Sequence, residues 1–187
     1  MSRPWPWNRL FRYTWGMMAT TSPGMAPARR VPLVVLVASL GAVTVAFAVQ
    51  RLFGLVPCEL CLYQRVPYMV AAMLATIGVG LPPEGRIQTV VLTLAGAVFL
   101  VGAGLAVYHV GVQNHWWMAP GCGGVPATQM TLEDLRARLQ GPAGPPCDRI
   151  DWSLFGISLA GYNAIVSLGL AIFSLAGAVR IWRSRTP

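Results

Sequence analysis

Four cysteines are the residues best suited to chemistry in this chain: Cys58, Cys61, Cys122 and Cys147. Four cysteines allow three disulfide connectivities. Cys58 and Cys61 are separated by two residues, so we expect them to bridge each other at rest and to leave Cys122 with Cys147. Four thiolates could instead hold a zinc ion, but the second pair lacks the close spacing of a zinc knuckle. Two cysteine pairs, each able to form a disulfide, are therefore the first hypothesis.

The C-x-x-C motif also has a position that favours reactivity. It immediately precedes an apolar run that predicts a helix, where unpaired backbone N–H groups and the positive helix end stabilise an anion. Arg65 lies one turn beyond Cys61 on the same helix face and adds a full positive charge. We expect Cys61 to carry the stabilised thiolate.

The elements that position these cysteines are membrane spans. The chain has 187 residues, is 55% hydrophobic and 11% charged, and has a mean hydropathy of +0.57, which is outside the range of soluble domains. A helix of about 20 apolar residues crosses the bilayer hydrocarbon. Four stretches are long enough, and the predicted fold is an all-α four-transmembrane-helix bundle with spans at 32–49, 62–81, 87–108 and 153–179.

Arginine placement predicts the orientation of these spans. The side that holds both termini and the Pro82-Pro83 turn carries nine arginines against the single acid Glu84, whereas the opposite side carries five arginines against five acids. The positive-inside rule therefore places the termini in the cytoplasm and all four cysteines outside it, in an oxidising compartment. Because the arginines flank apolar runs and form no stripe, nucleic-acid binding is not expected.

The remaining segments lie between or outside the spans. Residues 1–30 form a cytoplasmic N-terminal extension without the apolar region of a signal peptide, and residues 181–187 form a cytoplasmic tail. The outer loops are 50–61 and 109–152. Within the second, Thr131 to Glu133 predicts a helix start, and Leu132, Leu135 and Leu139 would share the apolar face of a short interfacial helix.

Taken together, these motifs resemble the DsbB family of bacterial disulfide-forming membrane proteins over roughly 31–180. The matching residues are Pro57-Cys58-Glu59-Leu60-Cys61-Leu62-Tyr63-Gln64-Arg65, His109, Gln113, Cys122, Cys147-Asp148 and Trp152-Ser153-Leu154-Phe155-Gly156. The combination is far more specific than any one motif.

The resemblance implies a thiol:quinone oxidoreductase of the bacterial inner membrane. Such an enzyme reoxidises a periplasmic, thioredoxin-like DsbA-like partner and passes the electrons to membrane ubiquinone or menaquinone. It implies that Cys58 and Cys61 face the quinone, that Cys122 and Cys147 face the partner, and that Arg65, His109 and Gln113 bind the quinone. No metal is expected. Two alternatives stay open from the residues alone: a structural membrane protein stapled by its disulfides, and a site that binds metal through four cysteines.

Overall fold

The structure is a computed structural model that describes residues 27–82, 85–117, 131–133, 136 and 145–184. These residues are almost entirely helical. The elements are α1 (Pro27–Leu52), α2 (Glu59–Tyr63), α3 (Arg65–Gly80), α4 (Arg86–Gln113), β1 (Ser153–Leu154), β2 (Ile157–Ser158) and α5 (Leu159–Arg183). Because only Gln64 separates α2 from α3, the two act as one span, and four helical segments are long and apolar enough to cross a membrane. The predicted all-α four-helix membrane fold is confirmed.

Small residues let the four spans pack closely. Helix α4 packs most extensively on α5, and α3 packs on both α1 and α4. At the centre, the fully buried Phe99 meets Tyr68 edge to face, with ring centroids 5.8 Å apart. A Cβ atom on Gly102 would lie 3.1 Å from Pro67 on α3, so glycine at this position keeps α3 and α4 close. Many large apolar side chains on the outer faces are exposed, as a helix surface facing lipid requires.

The fourth span begins later than predicted. Ser153 and Leu154 pair antiparallel with Ile157 and Ser158, so the segment predicted to start the helix at Ser153 is a short hairpin. Its two turn residues, Phe155 and Gly156, have φ values of 50° and 78°, the left-handed backbone of a tight two-residue turn. Helix α5 then starts at Leu159, where the Ser158 hydroxyl accepts a hydrogen bond from the Gly161 N–H.

The third span extends beyond its predicted end at Tyr108, because helix α4 continues to Gln113. The chain then folds back on the helix it has just left. The Trp117 ring stacks on Tyr108, and its indole N–H donates to the Tyr108 carbonyl oxygen at 3.0 Å. The Trp117 ring lies so close to Gly111 that any larger residue there would displace it.

Two predicted segments fall mostly outside the described residues. In the long outer loop, Leu132, Glu133 and Arg136 are helical and exposed, but Leu135 and Leu139 are not described, so the interfacial position of this helix stays a prediction. The N-terminal extension is described only from Pro27, where α1 begins.

Candidate functional site

The C-x-x-C motif lies where the second span begins. Cys58 is the N-cap residue of α2 and has an extended backbone, whereas Cys61 lies within the helix. Their Sγ atoms are 3.1 Å apart and hydrogen-bonded, and both residues are thiols in this structure. The disulfide expected at rest between them is therefore not formed here. The two sulfurs are nevertheless adjacent, because one helical turn brings residues three apart onto the same face.

His109 brings this pair together with the loop cysteine Cys147. The imidazole is 2% exposed, and its Nε2 lies 3.8 Å from Cys58 Sγ and 3.2 Å from the Cys147 carbonyl oxygen. Cys147 is disulfide-bonded, and its predicted partner, Cys122, lies outside the described residues. Cys58, Val112 and Cys147 form one buried cluster. Helix α4 therefore joins the two groups of cysteines that the sequence separates widely.

Hydrogen bonds concentrate negative charge on Cys58. When Cys58 is ionised, its sulfur can accept a hydrogen bond from the Cys61 thiol and a second from His109. Against the opposing effect of burial, these hydrogen bonds lower the pKa of Cys58 from 9.0 to about 4. Lower-pKa thiols are both better leaving groups and, near neutral pH, ionised nucleophiles. In the dithiol state these hydrogen bonds favour a thiolate on Cys58, and the stabilised thiolate at Cys61 beside Arg65 stays a prediction.

Arg65 begins α3 and extends toward α1. Its guanidinium donates to Gln50 Oε1 at 3.0 Å and lies 4.6 Å from the centre of the Phe47 ring. It remains a charged, partly buried donor at the same end of the bundle as the cysteines. Its hydrogen bond and its ring contact are made with α1, while its positive charge still acts on Cys61.

A cavity of about 420 Å³ adjoins the thiols. Cys58, Cys61, Arg65, His109 and Gln113 all line it, so the described residues predicted to bind quinone lie together. Small apolar side chains on α1 also line the cavity: Ala38, Ala42, Ala46 and Val49. A space with polar donors at one end and an apolar wall suits a flat ring with polar oxygens and an apolar tail.

Gln113 has a structural contact as well as a position in the cavity. Its Oε1 accepts a hydrogen bond from the Ser158 hydroxyl at 2.7 Å. Ser158 is also the N-cap of α5, so Gln113 ties the end of α4 to the start of α5.

Three residues of the site were not predicted from the sequence. Gln50 binds Arg65, and both Gln64 and Asn163 join a hydrogen-bonded chain that reaches His109. All three line the cavity. The signal that could have found them is the presence of amide side chains in or beside apolar spans, where polar groups are costly unless they are paired.

The thiols and His109 also form a possible set of metal ligands. Ligand atoms of Cys58, Cys61 and His109 lie within 4.8 Å of one another, and sulfur and imidazole ligands suit a soft cation such as Zn²⁺. The alternative of a site built from four cysteines is not supported, because Cys147 is engaged in a disulfide and offers no thiolate.

Comparison with known proteins identifies the family. A family model described as "Disulfide bond formation protein DsbB" matches residues 28–177. The chain is 32% identical to Disulfide bond formation protein B of Dechloromonas aromatica over 75% of this chain and 86% of that protein. It is 32% identical to the protein of the same name from Xanthomonas euvesicatoria over 79% and 88%, and 30% identical to that of Methylobacillus flagellatus over 74% and 86%. No solved structure matches. The chain, a multi-pass helical membrane protein with paired cysteines at one end, belongs to the DsbB family of disulfide bond formation proteins.

Proposed function

We propose that this protein is a thiol:quinone oxidoreductase that reoxidises a periplasmic, thioredoxin-like dithiol oxidase of the DsbA type. Electrons would enter at the loop pair, Cys122 and Cys147, pass to Cys58 and Cys61, and leave to quinone in the membrane. The observation that carries this proposal is the meeting of Cys58, Cys61 and the backbone of Cys147 around His109, beside a cavity that contains Arg65.

The contacts favour a direct exchange between the two pairs. A partner thiolate that attacks the loop disulfide releases one loop sulfur, and Cys147 is the loop cysteine that lies in the buried cluster with Cys58. A Cys147 thiolate can attack Cys58 when the latter is oxidised, with Cys61 leaving as the thiolate. The partner's second thiol attacks the mixed disulfide, so that the partner leaves oxidised and the other loop sulfur is freed as a thiol. That thiol then displaces Cys58 from Cys147. The loop disulfide is restored and the inner pair is left reduced, so electrons and protons balance.

The cavity fits a quinone as the final acceptor. When bound, quinone would accept two electrons and two protons, which Cys58 and Cys61 release as they join in a disulfide. Arg65 and His109 offer N–H donors at the polar end, and Gln113 lines the same space. The guanidinium can stabilise negative charge that develops on a ring oxygen, since preorganised donors are most effective in a site that excludes water. The α1 wall would accommodate the apolar part of either ubiquinone or menaquinone.

The proposed location follows from the arginines. The excess of positive charge at the termini favours an inner-membrane orientation with the cysteine end in the periplasm. A membrane-impermeant maleimide applied to intact spheroplasts should label cysteine thiols of this protein after mild reduction. Labelling that occurs only after lysis would mean that the cysteine end faces the cytoplasm, which is opposite to the proposed orientation.

The decisive experiment is catalytic. Purified protein with added ubiquinone or menaquinone should oxidise many equivalents of a reduced thioredoxin-fold dithiol protein per enzyme, with quinol formed in equal amount. The Cys61→Ser variant is the matched control, because it keeps the fold and loop but cannot form the inner disulfide. Oxidation of only one equivalent, or turnover independent of quinone, would refute the proposal.

A further inference from the structure

A chain of uncharged polar side chains runs from His109 into the apolar interior. The chain contains Gln64, Asn163, Tyr68 and Ser167, which come from the α2–α3 junction, α3 and α5. Gln64 Nε2 lies 2.7 Å from His109 Nδ1, and Asn163 Nδ2 donates to Gln64 Oε1. Gln64 and His109 are 6% and 2% exposed. Such groups are costly in a membrane unless every partner is matched.

The Cys147 carbonyl sets the direction of this chain. A carbonyl oxygen only accepts, so His109 Nε2, 3.2 Å away, must carry a hydrogen. In a neutral imidazole Nδ1 is then the acceptor, and Gln64 must present its NH₂ group to it. The Gln64 oxygen therefore faces Asn163, which must present its own NH₂ group.

The far end of the chain requires the same orientation. With its NH₂ group committed to Gln64, Asn163 has only Oδ1 for its other neighbours. The Tyr68 hydroxyl donates to that oxygen, and the Ser167 hydroxyl lies 3.2 Å from it. The Ser167 hydroxyl also lies 2.9 Å from the Tyr68 oxygen and has a single hydrogen, so it donates either to Asn163 or to Tyr68. In both cases one arrangement of hydrogens satisfies every bond from Tyr68 to the Cys147 carbonyl.

We propose that Gln64 and Asn163 are positioning residues that hold His109 as its Nε2–H tautomer, with that N–H directed between Cys58 Sγ and the Cys147 carbonyl. The opposite tautomer would turn a lone pair toward the carbonyl and toward any thiolate on Cys58. The tautomer follows from geometry alone. Its consequence for turnover rests on the proposed function: the N–H stabilises Cys58 whenever that sulfur is anionic during exchange or reoxidation.

Replacing Asn163 with aspartate tests the direction of the chain. A carboxylate still accepts from Tyr68 and Ser167 but has no N–H for Gln64. The Gln64 amide must then turn, presenting its oxygen to His109 Nδ1, which must gain a hydrogen. The Gln64→Glu variant forces the same change directly, and it keeps the test available if Asn163→Asp fails to fold.

The measurement is ¹⁵N NMR of histidine-labelled protein in detergent, with Cys58 and Cys61 reduced. A His115→Asn background leaves His109 as the single imidazole, and asparagine tolerates the positive φ of 57° at that position. We expect a protonated Nε2 and a bare Nδ1 in the parent, and a protonated Nδ1 in Asn163→Asp and Gln64→Glu. Asn114→Asp is the matched control, because Asn114 lies on the surface and its side-chain amide donates to the Val110 carbonyl of its own helix.

Turnover provides the second readout. We expect Asn163→Asp to lower the rate of quinone-linked oxidation about 10-fold, part of the usual contribution of a correctly placed proton donor, while Asn114→Asp keeps the parental rate. A bare Nδ1 in both variants, or a protonated Nδ1 in the parent, overturns the positioning role. If the tautomer of His109 switches in the variants but turnover stays at the parental rate, the tautomer has no importance for catalysis. If the parent fails to oxidise any dithiol, the proposed function fails while the NMR result stands by itself.

Discussion

Two buried glutamines, one at each end of the bundle, differ sharply in their hydrogen bonding. Gln64, at the cysteine end, uses both amide atoms, to His109 and to Asn163. Gln88, at the opposite end, is fully buried, and neither its Nε2 nor its Oε1 has a hydrogen-bond partner among the described residues. Since an unpaired buried polar group costs about 1–3 kcal/mol, the paired arrangement at the cysteine end is a specific feature of the site and not a general property of the bundle.

The largest contrast between the two ends should come from the loop cysteine. Cys147→Ser is expected to abolish oxidation of a thioredoxin-fold partner, because no disulfide remains for the partner to attack, yet Cys58 and Cys61 should still reduce quinone in a single turnover. Ser174→Ala, a change to a buried hydroxyl without a partner among the described residues, should leave both reactions unchanged. Stopped-flow quinone absorbance and thiol counting measure the two steps. Parental partner oxidation in Cys147→Ser would disprove the proposed order.

The next-largest expected effect concerns how the reactivity of the Cys58 thiol depends on pH, compared with that of an ordinary thiol. Because its pKa is lowered to about 4, the thiolate is present above that pH and is lost as the pH falls through it. The alkylation rate of reduced Cys58 should therefore stay nearly constant from about pH 8 to about pH 5, whereas an ordinary thiol slows about 10-fold per pH unit below its pKa.

The control removes the largest cause of the shift. In Cys61→Ala the donated hydrogen bond is lost, so the fall in rate should move to higher pH. Iodoacetamide labelling followed by mass spectrometry of the Cys58 peptide reads out both profiles. A profile for the parent that falls steadily below about pH 8 would mean that Cys58 has no lowered pKa.

Arg65 should affect quinone rather than partner. Arg65→Gln is expected to raise the apparent KM for quinone roughly 10- to 100-fold, in line with the value of about 1.5–3 kcal/mol for a hydrogen bond from a charged donor. Lysine should restore only part of this loss, since it keeps the charge without the planar donor fork. Arg86→Gln, at the opposite end, should not change the KM. If the Arg65→Gln variant keeps the parental dependence of rate on quinone concentration, then Arg65 does not contribute to quinone binding and its role is confined to its contacts with Gln50 and Phe47.

The smallest predicted effect concerns stability and compares the two glutamines directly. Gln64→Met should lower the stability by about 1–3 kcal/mol, because it leaves His109 Nδ1 and the Asn163 NH₂ group without the partner that Gln64 supplies. Gln88→Met should be neutral or slightly stabilising, since it removes two buried polar atoms that lack partners among the described residues. Thermal unfolding in one detergent checks both. Equal losses would mean that the two amides contribute alike and that the difference in their hydrogen bonding has no energetic weight.

Hydropathy and spacing predicted the spans well because they report on each helix separately. They place Cys58 and Cys61 at one mouth, and they place His109 and Gln113 at the end of the third span. They do not say which side chains meet across helices. The link from Gln64 to Asn163 joins residues 99 positions apart, and its direction depends on the carbonyl of Cys147. No periodic pattern contains that information.

The hairpin before α5 was missed for a different reason. Leu154, Phe155 and Ile157 are apolar, so a hydropathy window includes them in the adjacent helix. The left-handed backbone at Phe155 and Gly156 ends the helical pattern, and glycine was the only local sign of it. The sequence also could not show that a thiolate is favoured on Cys58, because the hydrogen bonds from Cys61 and His109 depend on the distances between side chains.

Both described ends of the long outer loop attach to the same turn of α4. Trp117, where the loop begins, is bound to Tyr108, and the backbone of Cys147, near its end, is bound to His109. The loop is therefore a closed tether whose two anchors are neighbouring residues. Whatever path lies between them, Cys147 meets Cys58 at a high effective concentration, independent of how much protein the membrane contains. In the proposed mechanism, exchange between the two cysteine pairs is thus a first-order event within one chain, and it need not await an encounter between two proteins.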